Sequence, residues 1–219
     1  MSGPRVALLE RAARGRPLRS PLLAPAAVLA AALVALLPDA AEALQYDRVA
    51  IAAGEWWRVV TCHWTHLSVD HLIWDAAALG ILGWLCERRD PRAFRWCLFS
   101  AACAIPLAIA IAAPELRHYR GLSGIDSALF MMLAVGIIRD ASPGAAGGGA
   151  SRPRARAAGL LVLLFLAKVI YEVATASTLF VDSAAAGMVP VPLAHLVGAA
   201  VGAAAPWWGS EGGRIMAKK

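Results

Sequence analysis

Residues 121–138 read GLSGIDSALFMMLAVGII, a largely apolar stretch interrupted by one charge, Asp126, and entered through a serine set between two glycines. A helix that crosses a bilayer needs about 20 predominantly apolar residues, and this stretch comes close to that length. Comparable stretches lie at 21–38, 69–86, 94–113, 157–177 and 190–208. The chain is 59% hydrophobic and 16% charged with mean hydropathy +0.61, beyond what a soluble domain of 219 residues carries, so lipid is the expected solvent. The expected fold is therefore all-α: a polytopic membrane protein with six transmembrane helices.

The first stretch, Leu22 to Leu37, follows a basic segment like a signal peptide. Other spans follow it and Pro38-Asp39 makes a poor cleavage site, so it is read as retained. Glu87 to Arg92 is a polar connection, and the low-complexity run Pro143 to Arg156 reads as a flexible loop. No second domain is evident.

Net charge +6 taken alone would suit a nucleic-acid partner, but the positions of the charges point to membrane orientation. Most of the 21 Lys and Arg residues fall at the N-terminus (Arg5, Arg11, Arg14, Arg16, Arg19), in the second and fourth connections (Arg88, Arg89, Arg92, Arg95; Arg139, Arg152, Arg154, Arg156) and at the C-terminus (Arg214, Lys218, Lys219). Arg48, Arg58, Arg117 and Arg120 lie on the other side, and Lys168 sits within a span. The asymmetry places both termini in the cytoplasm. Residues 1–20 and 209–219 then form cytoplasmic segments around a membrane domain at 21–208, and no nucleic-acid partner is expected. The Ala-rich, Arg-over-Lys composition is of a kind common in GC-rich bacterial genomes, which puts the expected location in a bacterial inner membrane. Cys62, Cys86, Cys97 and Cys103 show no CxxC spacing and read as apolar filler.

With this orientation His63, His66, His71, His118 and His195 all lie in or near the outer half. An ionisable group within a span is costly enough to be a functional candidate, which singles out His71 and His195. Ser123 begins the fourth span, where the first backbone N–H groups lack intrahelical partners and can hold an oxyanion. Gly121 and Gly124 allow close approach of backbone and substrate. The plain alternative is a serine N-cap with glycines for packing. His195 lies a short way into the sixth span, at a depth matching Ser123. Gly198 and Gly202, four apart on its face, form a surface that lets another helix come very near.

These segments resemble the rhomboid intramembrane serine proteases. The resemblance extends past GLSG and the AHLVGAAVG histidine to Gly54-Glu55-Trp56-Trp57-Arg58, which looks like the family's Trp-Arg outer-loop signature, and to the run through His66 and His71. It looks closest to the rhombosortase branch, whose substrates are secreted proteins with a C-terminal Gly-Gly, helix and basic tail. The resemblance implies a six-helix rhomboid-like bundle and a Ser-His dyad facing the periplasm. Ser123 would be nucleophile and His195 base, with the oxyanion held by the Ser123 N–H and His71. Trp57 and Arg58 would shape the outer loop. No cofactor or metal is implied, and the partners would be transmembrane substrates and the lipid bilayer.

The chain departs from the family pattern at two places. Asp75 stands where rhomboids usually carry asparagine, so it is expected either to be protonated or to point away from the oxyanion. Ser127 replaces an aromatic that commonly packs on the histidine. Asp126 is expected to pair with Lys168, which also has Glu172 four residues on, in preference to orienting His195.

Cys62, His63 and His66 are adequate zinc ligands by type, but no HExxH or acidic third ligand completes a site. A transporter would fit Lys168 and Glu172, yet no inverted repeat is visible. The main rival is a catalytically inactive rhomboid-like protein that binds transmembrane helices.

Overall fold

The computed structural model describes residues 21–141, 152–179 and 190–216, and helices dominate them. In chain order the elements are α1 (Leu23–Leu36), α2 (Ala40–Leu44), β1 (Tyr46–Asp47), α3 (Arg48–Ala52), α4 (Arg58–Thr61) and a 3₁₀ turn (Cys62–Trp64). There follow α5 (Val69–Arg89), α6 (Pro91–Ala112), β2 (His118–Tyr119), α7 (Ser123–Asp140), α8 (Arg152–Thr175) and α9 (Pro192–Met216).

A helix stands at each expected stretch, but some ends differ. The run expected to be a loop through Arg156 is already helical from Arg152, because Pro153 is tolerated in a first turn where its missing N–H would be unpaired anyway. The rest of that run, like residues 1–20, lies outside the described residues. α9 continues to Met216, past the expected end at 208.

α5, α6 and α8 are each long and apolar enough to cross a membrane, while α1 and the Pro192–Ala205 part of α9 are apolar but shorter. α7 carries Asp126, Arg139 and Asp140 and buries residues on every side, among them Ile125, Ala128, Leu129 and Met132. A helix wrapped by its neighbours needs no lipophilic surface. Outward, the bundle displays Leu33, Ile81, Phe99, Ile111, Leu163 and Ile170. Water would drive such a surface to aggregate, whereas hydrocarbon solvates it. The chain is a membrane protein.

Caps fix the ends. Ser68 Oγ accepts the His71 amide (3.1 Å) at the start of α5. Asp90 accepts the Arg92 and Ala93 amides (3.0 Å each) at the start of α6, with Pro91 at the first helical position. Glu87 of α5 accepts the Leu22 and Leu23 amides (3.1 Å each) and that of Ala24 (3.0 Å), so a carboxylate from one helix serves the unpaired N–H groups of another.

The segment between α1 and α5 is tied down at the end of the bundle where α6 finishes and α7 begins. β1 and β2 pair antiparallel, Tyr46 opposite Tyr119 and Asp47 opposite His118. Arg48 donates to the carbonyls of Ile109 (3.4 Å), Ala110 (3.1 Å) and Ala113 (3.2 Å), closing the end of α6. Arg58 donates to the Glu42 and Gln45 carbonyls (2.6 and 3.1 Å) and to Glu55 (2.7 Å), and the Trp57 indole donates to the Ala43 carbonyl (3.4 Å). Trp57 and Arg58 knit this loop together.

The closest contact in the bundle joins α7 to α9. A Cβ at Gly198 would collide with the Gly124 carbonyl and one at Gly202 with the Ala128 carbonyl. A Cβ at Gly124 would in turn lie 3.1 Å from the Ala194 carbonyl. Only glycine lets these backbones touch.

Candidate active site

The turn that leads into Ser123 is held from several directions. Gly121 adopts φ +118°, a conformation L side chains rarely take, and a Cβ there would press to 2.9 Å from the His71 ring. Its N–H donates to the Cys62 carbonyl (3.2 Å), and its carbonyl accepts from Tyr119 Oη (3.3 Å). The Leu122 N–H donates to Asp75 Oδ2 (2.9 Å). His63, wholly buried, sets Nε2 3.1 Å from the Ala102 carbonyl and Nδ1 3.4 Å from that of Gly121. Burial pushes its pKa down against the pull of those two carbonyls, so the ring sits neutral. Burial likewise pushes the Cys62 thiol well above its usual range, which leaves it a packing group and no nucleophile.

Ser123 is the first residue of α7 and is half-buried. The Ser127 hydroxyl donates back to its carbonyl (2.8 Å), so Ser127 serves the helix backbone. Ser123 and the buried His195 both line one cavity of about 850 Å³. The cavity also takes in His71, Asp75, Asp126, Lys168 and Glu172, and its wall continues outward through Gln45, His118 and Arg120. The α7–α9 contact brings the two chain-distant residues to this shared wall: Gly124 follows Ser123, Ala194 precedes His195, and these neighbours touch.

The Asp75 carboxylate turns to the turn before the serine and to two imidazoles. Besides the Leu122 amide, its Oδ2 lies 3.2 Å from His71 Nε2 and 3.3 Å from His66 Nε2. The two rings meet edge to face at 5.0 Å between centroids. Asp75 thus acts as an acceptor that steadies the turn and the His71 ring.

The expected pairing of Asp126 with Lys168 is corrected. Both Asp126 carboxyl oxygens are buried and find no hydrogen-bond partner among the described residues, while Lys168 Nζ sits 2.7 Å from Glu172 Oε1. Asp126 faces into the bundle from α7, whereas Glu172 lies one turn from Lys168 on α8 itself. Reading along the sequence also missed that Glu172 Oε2 stands 2.8 Å from His195 Nδ1. The only local signal was the spacing of Lys168 and Glu172, which points to each other and says nothing of α9.

Trp57 and Arg58 lie outside the cavity wall, in the segment between α1 and α5. Gly198 and Gly202 sit behind the wall at the helix contact.

A serine hydroxyl and an imidazole thus share one cavity in a helical membrane protein. A family model, the rhomboid domain, matches residues 53–212. The chain belongs to the rhomboid family, whose domain is typical of intramembrane serine proteases and also occurs in inactive members. A search of curated proteins finds no match.

Proposed function

We propose that the protein is an active intramembrane serine endopeptidase of six transmembrane helices, with Ser123 as nucleophile and His195 as base. The observation that carries this reading is that both residues line one cavity behind the glycine-locked contact of α7 and α9. The Ser123 hydroxyl gives its proton to His195 Nε2 as its oxygen attacks the scissile carbonyl. The tetrahedral oxyanion takes hydrogen bonds from the Ser123 N–H and from His71, and its collapse passes the proton from His195 to the departing amine. Water then repeats the sequence to free the acyl enzyme. Gly121, Gly124 and Asp75 support this site by holding the turn that presents Ser123.

The placement of Arg and Lys supports cytoplasmic termini and a cavity open to the opposite side, and the Ala-rich, Arg-over-Lys composition supports a bacterial inner membrane, which makes that side the periplasm. The substrates are membrane-anchored proteins whose helix unwinds near small residues, because a helical peptide bond is shielded by its own hydrogen bonds. Tails bearing Gly-Gly, a helix and basic residues are the specific class, as the resemblance to rhombosortases implies.

Co-expression of tail-bearing proteins with wild type, Ser123→Ala and His195→Ala tests the reading. Wild type alone should produce a processed form. A fluorophosphonate should label Ser123, with labelling lost in either variant. An unlabelled, folded wild type would favour an inactive helix-binding protein.

A further inference from the structure

We propose that Glu172 of α8 orients the His195 imidazole as the positioning residue of a Ser-His-Glu triad, with the Lys168 ammonium paired to its carboxylate. The inference rests on His195 being the base.

The geometry carries it. Glu172 Oε2 lies 2.8 Å from His195 Nδ1, a short contact to the nitrogen away from the one that must receive the serine proton. An ionised carboxylate can only accept, so Nδ1 must carry the hydrogen. That fixes the tautomer with a lone pair on Nε2, the form a general base requires. Lys168 Nζ approaches Nδ1 less closely (3.4 Å) and Glu172 Oε1 more closely (2.7 Å), so its donor serves the carboxylate.

The helix that bears the pair makes the point sharper. Among its described residues α8 buries only Ala158, Val169 and Glu172, and its remaining surface is largely turned to lipid. A lone carboxylate on such a helix is expensive. One lysine would satisfy the charge at the helix surface, but Glu172 is 1% exposed and directed at a histidine on another helix.

During the reaction the serine proton moves to Nε2 and then to the leaving amine, while the Nδ1 proton stays on His195 and Glu172 stays ionised. Glu172 stabilises the imidazolium as it forms, and Lys168 opposes it. The other titratable groups on the same cavity wall are His71 and Asp75 from α5, Asp126 from α7, Glu42 from α2, and Glu115, Arg117, His118, Tyr119 and Arg120 between α6 and α7.

The two charges therefore have opposite signatures in the pH dependence of fluorophosphonate labelling, measured in micelles on the full chain. In Glu172→Gln the labelling rate should fall at least roughly 10²-fold, and its acid limb should move to lower pH. In Lys168→Met the acid limb should move to higher pH. Glu172→Asp should recover part of the rate. Thermal unfolding verifies that each variant is folded. If Glu172→Gln cannot be recovered, Lys168→Met decides: an upward shift supports the triad and an unmoved limb overturns it. A folded Glu172→Gln that labels like wild type overturns it too. Wild type that never labels defeats the protease reading instead, so the two failures are distinct.

Discussion

Asp75 is a buried carboxylate that accepts the Leu122 amide and neighbours two imidazoles. Asp75→Ala should leave that buried amide unpaired and cost about 1–3 kcal/mol, read as a fall in the thermal midpoint in detergent. Asp75→Asn keeps an oxygen acceptor and should lose much less. His63 gives a pH signature of opposite origin. Its folded value lies below the ordinary 6.5, so on acidification the unfolded chain takes up a proton that the folded chain refuses. Stability should therefore decline as pH falls through the ordinary histidine value, and His63→Gln should flatten that slope between about pH 7 and 5. That Ser123 and His195 lie at matching depth was legible from the sequence because flanking glycines and position within a span are local marks, and the two do line one cavity. The tethers of Asp75 and the bond from Glu172 to His195 were not, because they depend on how α5, α8 and α9 rotate against their neighbours.

At the scale of helices, glycines differ by what they face. Gly198→Val would push a side chain into the Gly124 carbonyl, which is backbone and cannot step aside, so the loss should reach or exceed about 3 kcal/mol. Reduced yield of folded protein and loss of Ser123 labelling would report it. Gly159 of α8 faces open space, and Gly159→Ala should leave stability unchanged or raise it by about 0.5–1 kcal/mol through the stiffer helix. Apolar runs and the Gly198–Gly202 spacing made these helices and one of their contacts readable. The central helix was read as one span among equals, because hydropathy alone does not distinguish a helix ringed by protein from one bathed in lipid.

Across the whole molecule, the uneven placement of Lys and Arg makes a prediction about sidedness. Reporters active only in the periplasm should work when fused within 114–117, and reporters active only in the cytoplasm should work at either terminus or within 142–151. The reverse pattern would turn the proposed cavity to the wrong compartment. The turn before Ser123 carries a consequence of its own. The Cys62 carbonyl, Tyr119 and Asp75 each restrain it by a separate bond, so the loss of any one is shared among the others. Natural variation can pass through those restraints singly, whereas Gly198 and Gly202 meet immovable carbonyls and offer no such latitude. A saturation library should accordingly show a soft periphery around the nucleophile and a rigid spine behind it.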